Sequence, residues 1–177
     1  MSRINLISYR FGLLFKVLIF LYPLMVIATW LGAITIPLSY LSFVRLPVEV
    51  DIQSLRFMVR ALACMVEMIP TLIVMMSFYY LIQLFTLYSK NNIFGIQNVL
   101  FIKKIGYTLI AQVAASLVTQ PLLSLVLTMD APSGGHIIAV GFGSDELSNM
   151  IIGGIVVLIS WIMEEGRKLE EDKELTI

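Results

Sequence analysis

Four long segments of the chain contain neither acidic nor basic side chains. They cover residues 17–36, 68–88, 105–129 and 147–163. Because an α-helix rises about 1.5 Å per residue, about 20 residues cross the roughly 30 Å hydrocarbon core of a bilayer. Three of the segments reach that length, and the fourth reaches the lower limit of about 17 residues. The sequence therefore predicts four membrane-spanning helices.

The overall composition excludes a water-soluble domain. Of 177 residues, 59% are hydrophobic and 14% are charged, whereas soluble domains carry about 25% charged residues. Twelve basic residues balance twelve acidic ones, so there is no net basic field to attract nucleic acid, and no nucleic-acid partner is expected. The single cysteine, Cys64, cannot form an intramolecular disulfide, and we interpret it as a small packing residue.

These segments predict an all-α integral membrane protein, a single domain over residues 1–177. We expect a four-helix antiparallel bundle with spans at about 13–38, 62–88, 104–129 and 147–165, followed by a charged helical tail at 164–177. Asn98 is expected to cap a helix that begins at Val99 and continues into the third span.

The distribution of basic residues predicts the orientation, because Lys and Arg near span ends favour the cytoplasmic side. Four spans place nine basic residues on one side and three on the other. The larger group is Arg3, Arg10, Lys16, Lys90, Lys103, Lys104, Arg167, Lys168 and Lys173; the smaller is Arg45, Arg56 and Arg60. Both termini are therefore expected in the cytoplasm.

The two connections on the opposite side suggest a small β-structure. From Pro47 to Gln53, apolar and polar residues alternate with the period of a half-buried strand. An apolar run at 137–142 follows turn-forming residues in the second connection. We expect these segments to pair outside the membrane; two independent loops on the bilayer surface are the alternative.

The third span carries a polar stripe. Thr108, Gln112, Ser116 and Gln120 recur every four residues and therefore share one helical face. Polar groups inside a bilayer must avoid lipid, so this face should meet another helix or a wet cavity. We favour hydrogen bonding across the bundle over a permeation pathway.

Glu67 directly precedes the second apolar block and is the ionisable side chain that we single out, because buried carboxylates in membranes often mark ion or proton paths. It follows Arg60 by seven residues, which is two helical turns, so the two could form an ion pair on one helical face. We favour this structural role, with proton handling or ligand contact as the alternative.

No arrangement of residues predicts catalysis or metal binding. Glu164 and Glu165 are followed by Arg167, but the only histidine, His136, is expected across the bilayer from them. His136 with scattered loop carboxylates is weak evidence for a metal site. We therefore expect no enzyme activity, no metal and no cofactor.

Two stretches carry a family resemblance. The first is Asn92-Ile93-Phe94-Gly95-Ile96-Gln97-Asn98-Val99, followed by Ile102-Lys103-Lys104-Ile105-Gly106; the second runs from Glu165-Gly166 to the closing Leu175-Thr176-Ile177. With the four spans, this pattern resembles the bacterial family catalogued as domain of unknown function 2975. The resemblance implies a four-span protein of the bacterial inner membrane with no established activity.

These observations favour a non-enzymatic membrane protein that acts through a cytoplasmic protein partner in signalling or regulation. The expected partner surface comprises Asn92, Phe94, Asn98, Lys103, Lys104, Glu165, Arg167 and Glu171. One alternative is a small transporter or channel-like subunit that uses the polar stripe with Glu67 and functions as a homo-oligomer. Another is an immunity protein that protects the cell from a toxin.

Overall fold

A computed structural model describes residues 3–32, 54–90, 92, 95–129, 138–139, 141 and 143–174, except for the side chains of Arg3 and of residues 170–174. The chain forms four helices: α1 (Arg3–Trp30), α2 (Phe57–Ser89), α3 (Ile96–Leu127) and α4 (Ser144–Glu174). These described residues contain no β-strand. The predicted β-pairing lies outside them, apart from residues 138, 139 and 141, which have no regular structure.

All four helices are long and apolar enough to cross a membrane. The protein is therefore a multi-pass membrane protein with the bilayer as its surroundings. Large apolar side chains on α1 and α4 are exposed, including Phe20, Leu24, Ile155 and Ile162. Such surfaces would be unfavourable in water and suit contact with lipid.

The first helix is displaced toward the N-terminus relative to the predicted span at 13–38. It begins at Arg3 and ends at Trp30. Beyond that end, Gly32 adopts a positive φ of 74°, and its backbone N–H donates to the carbonyl of Thr29 at 3.1 Å. A left-handed glycine at this place terminates an α-helix at little steric cost. Hydrophobicity alone did not reveal this end, because the residues after Gly32 are also apolar.

The start of α3 corrects the predicted cap. The N-cap is Gly95, and no side chain caps the helix. Asn98 lies in the first turn, where its side-chain amide donates to the carbonyl of Asn92 at 2.8 Å. A β-carbon on Gly95 would lie 2.5 Å from Asn92 Oδ1, so the turn closes tightly around this glycine. Asn98 therefore fixes the α2–α3 connection instead of capping the helix.

Close packing follows the order of the chain, because α1 packs on α2, α2 on α3, and α3 on α4. The α1–α2 seam is aromatic: Phe11 and Phe15 stack on Phe85, and Tyr22 meets the edge of Phe78. These pairs join the start of α1 to the end of α2, so the two helices are antiparallel. The short connection at 90–95 makes α2 and α3 antiparallel as well.

The best-buried apolar cluster lies near the end of the bundle that holds the α1–α2 and α3–α4 connections, which we call the loop end. It contains Val26, Trp30, Ala63, Leu123 and Leu127 from α1, α2 and α3. Cys64 packs against this cluster, in agreement with its interpretation as a packing residue. The cluster holds three helices together beside the site described next.

Candidate functional site: a polar cavity shared by the four helices

A cavity of about 200 Å³ lies between the helices in the loop half of the bundle. Each helix contributes at least one wall residue. The walls are formed by Tyr22, Glu67, Pro70, Gln112, Val113, Ser116, Thr119, Gln120, Leu123, Glu146 and Asn149. None of these lining residues is Lys, Arg or His, whereas two are carboxylic acids. The cavity is therefore acidic and rich in hydrogen-bond acceptors.

The structure brings three residues of the predicted polar stripe to this cavity. Gln112, Ser116 and Gln120 line its wall on α3. Thr108 lies further along the helix, where it donates to the carbonyl of Ile105 and accepts a hydrogen bond of 2.7 Å from the Ser77 hydroxyl. The stripe thus has two environments: one contact between helices and one polar cavity.

Glu146 links α4 to α3 at the cavity rim. Its side chain is 3% exposed and accepts the backbone N–H of Gly143 at 2.8 Å, the arrangement of the carboxylate in a capping box. Gln120 Nε2 donates to its other oxygen at 3.3 Å. Glu146 is therefore a satisfied carboxylate that fixes the start of α4.

The connection before α4 closes against the same part of α3. The backbone N–H of Ala139 donates to the Ser124 hydroxyl at 3.0 Å. A β-carbon on Gly141 would lie 2.9 Å from Gln120 Oε1, so Gly141 leaves room for this amide. Gln120 is consequently held between a loop residue and Glu146.

Glu67 differs from Glu146 in having no partner among the residues that the structure describes. It is 9% exposed and lines the cavity, and no hydrogen bond or ion pair to its carboxylate is found among the described residues. The predicted ion pair with Arg60 is not formed in the described part of the chain. The Arg60 guanidinium lies instead against the end of α1, where a β-carbon on Gly32 would be 2.9 Å from Nη1. Two helical turns separate the residues along α2, and only Glu67 reaches the cavity.

Several oxygen acceptors accompany Glu67. Gln112 Oε1 is buried without a hydrogen-bond partner among the described residues. The hydroxyls of Ser116 and Thr119 donate to the carbonyls of Val113 and Ala115, both at 2.9 Å. Since a hydroxyl has one donor and two acceptor sites, these oxygens can still accept hydrogen bonds. The cavity therefore offers a carboxylate and neutral oxygens to a donor-rich ligand.

The described residues contain no group of three or more His, Cys, Asp or Glu side chains able to hold a metal ion. Glu67 and Glu146 are the two carboxylates of the cavity, and Glu146 is already engaged by Gly143 and Gln120.

The opposite end of the bundle contains most of the predicted partner surface. Lys103 pairs with Glu164 at 3.9 Å and so joins α3 to α4. Lys104 lies over the rings of Tyr80 and Phe101, at 5.3 and 5.9 Å from their centroids. These two lysines therefore have contacts within the bundle.

The other predicted surface residues differ in how far they are exposed. Asn98 is fully buried and belongs to the interior, while Asn92 is exposed. The side chain of Glu165 is 69% exposed and pairs with Lys168 at 3.6 Å, whereas the Nε of Arg167 is buried. Phe94 and the side chain of Glu171 lie outside the described residues. The exposed residues of this surface, within the described part of the chain, are Asn92 in the α2–α3 connection, Lys104 on α3 and Glu165 on α4.

Sequence reasoning missed Tyr22, Glu146 and Asn149 as cavity residues. Each lies in the half of its helix nearest the loop end. In an antiparallel bundle these halves lie together, so polar residues in them were the available signal. Glu146 falls one residue outside the predicted span at 147–165, but it lies in the first turn of α4.

A model of the family described as "Protein of unknown function (DUF2975)" matches residues 20–177. No curated protein and no solved structure matches the chain.

Proposed function

Because the chain belongs to the DUF2975 family of proteins of unknown function, we propose a role from its own geometry: a non-enzymatic membrane protein that acts through a cytoplasmic protein partner in signalling or regulation. The membrane is the bacterial inner membrane, with both termini in the cytoplasm. The nine-to-three distribution of basic residues supports this orientation.

The observation that carries the proposal is the continuity of α4. This helix runs without interruption from Ser144 at the cavity rim to Glu174, over 31 residues. At about 1.5 Å per residue it is about 46 Å long, which exceeds the roughly 30 Å hydrocarbon core by about 15 Å. One rigid element therefore joins the polar cavity to a charged segment that extends beyond the membrane.

The charged segment has the character of a docking surface. Glu165 and Lys168 form an exposed ion pair, with side chains 69% and 53% accessible. Exposed pairs contribute little to stability, so these charges are available for complementary charges on a partner. At the base of the segment, Glu164 pairs with Lys103 on α3 at 3.9 Å. A displacement of α4 at the cavity would thus be transmitted to the partner surface.

Co-purification from cells in a mild detergent tests this role. The informative variant exchanges the exposed pair, Glu165→Lys with Lys168→Glu, which keeps the net charge and changes the pattern. We expect a cytoplasmic protein to be retained in stoichiometric amount by the native chain and by a Gly154→Ala control, and to be lost with the exchanged pair. Equal retention by all three proteins, or retention of no protein, would contradict the proposal.

A small transporter or channel-like subunit is the second candidate. It is favoured by the meeting of Glu67 with Gln112, Ser116 and Gln120 at one cavity. The cavity occupies only the loop half of the bundle, so a path across the membrane would require a homo-oligomer. Ion flux across vesicles that contain the native protein, lost in Glu67→Gln, would favour this candidate.

A further inference from the structure

We propose that the cavity at Glu67 binds a small organic ammonium ion, with its charged head at the Glu67 carboxylate. This inference goes beyond the partner-binding role and does not depend on it, because it concerns the opposite end of α4. Four features of the cavity support it: an unpaired acid, a set of free acceptors, a suitable volume and a partly apolar wall.

The unpaired acid is the strongest of these features. Glu67 is more than nine-tenths buried and lines the cavity without a partner among the described residues. A buried carboxylate is unfavourable unless it is paired and hydrogen-bonded. Glu146, in the same cavity, is stabilised in this way, because Gly143 and Gln120 both donate hydrogen bonds to it. A cation that enters the cavity would supply the partner that the described residues do not provide.

The surrounding acceptors indicate the form of that cation. Gln112 Oε1 is buried and unsatisfied, and the Ser116 and Thr119 hydroxyls use their hydrogens on backbone carbonyls. A primary ammonium group has three N–H donors, as in a lysine side chain. One can reach Glu67 while the others reach neutral oxygens. A neutral hydroxyl compound would supply one donor and no charge.

The volume favours an organic ion over a bare inorganic one. A cavity of about 150 Å³ is large enough for benzene, and this cavity measures about 200 Å³. An ammonium group alone would leave most of that space to water. Pro70, Val113 and Leu123 form an apolar part of the wall, and Tyr22 contributes an aromatic ring. A short hydrocarbon body attached to the ammonium head fits these surroundings.

The test uses n-butylammonium as the probe and n-butanol as its uncharged counterpart. Binding to the purified native protein in mild detergent is measured by isothermal titration calorimetry. We expect n-butylammonium to bind at least about tenfold more tightly than n-butanol, which corresponds to about 1.4 kcal/mol. Equal affinities, or no binding of n-butylammonium at about 10 mM, would overturn the proposal, whatever the result of the co-purification experiment.

Two variants locate the binding site. Glu67→Gln keeps the size of the side chain and removes its charge, so it should lower the affinity for n-butylammonium at least about tenfold. Glu165→Gln, on the exposed part of α4, is the matched control and should leave the affinity unchanged. If Glu67→Gln does not fold, Ser116→Phe, which fills the cavity, takes its place and should abolish binding. Undiminished binding in the folded cavity variant would show that the probe binds elsewhere and would reject the site.

Discussion

Gly106 and Gly153 face each other where α3 meets α4. A β-carbon on Gly106 would lie 2.9 Å from the carbonyl oxygen of Gly153, and one on Gly153 would lie 3.0 Å from the carbonyl oxygen of Gly106. Contacts this short with backbone atoms cannot be relieved by a side-chain rotation. The two helices therefore approach at a point where both residues lack a side chain, as at other close helix crossings in membranes.

Replacement of Gly153 by alanine should separate these helices. We expect Gly153→Ala to reduce the free energy of unfolding in detergent by about 1 to 3 kcal/mol, the usual range for overpacking. Gly154→Ala is the matched control, because among the described residues no atom from another helix lies within 4 Å of the added β-carbon. Alanine favours a helix over glycine by up to about 1 kcal/mol, so the control should be neutral or stabilised. Thermal unfolding of both variants decides the matter, and equal stability would contradict the close crossing.

The α2–α3 connection should depend on one buried amide. Asn98 is fully buried and donates to the carbonyl of Asn92 at 2.8 Å. Asn98→Ala leaves that carbonyl without its donor, which should cost about 1 to 3 kcal/mol. The neighbouring Gln97→Ala is the control, because Gln97 is exposed in the same helical turn. Unfolding in a denaturing detergent should distinguish the two variants. A loss of stability as large in Gln97→Ala as in Asn98→Ala would reject the assigned role of Asn98.

The helical architecture could be predicted from the sequence because the bilayer imposes one length on every spanning helix. Helix ends were harder to predict, since they depend on local geometry. Gly32 ends α1 within a run of apolar residues. Hydrophobicity measures preference for lipid and carries no information about φ. The helix formers after the fourth span predicted a charged helical tail, and α4 does continue to Glu174.

The candidate site could be predicted only in part. The four-residue period placed Gln112, Ser116 and Gln120 on one face, and three of the four stripe residues do share the cavity. That period does not show which residues on the other helices these side chains contact. Arg60 and Glu67 lie on one helix at a favourable spacing, yet the structure directs Arg60 to Gly32 and Glu67 to the cavity. The contacts of these two side chains depend on how the neighbouring helices approach each other.

Replacing each of the two cavity carboxylates by glutamine should change the free energy of unfolding in opposite directions. Glu67→Gln removes a charge that no described group pairs with, so the ligand-free protein should gain roughly 1 kcal/mol or more in the free energy of unfolding. Glu146→Gln places an amide donor among the Gly143 and Gln120 donors and should reduce it by about 1 to 3 kcal/mol. Thermal unfolding without added amine measures both effects. A loss of stability in Glu67→Gln would indicate that this carboxylate has a partner within the protein.

Cysteine labelling in intact cells should show the proposed orientation. In a Cys64→Ser background, Ser144→Cys introduces a thiol at the exposed start of α4, and Lys90→Cys introduces one at the exposed end of α2. Because nine basic residues should remain in the cytoplasm, we expect a membrane-impermeant maleimide to label the Ser144→Cys protein in intact cells. The Lys90→Cys protein should react only after the cells are opened. The Cys64→Ser protein alone should stay unlabelled, and the reverse pattern would place both termini outside, which would remove the charged end of α4 from any cytoplasmic partner.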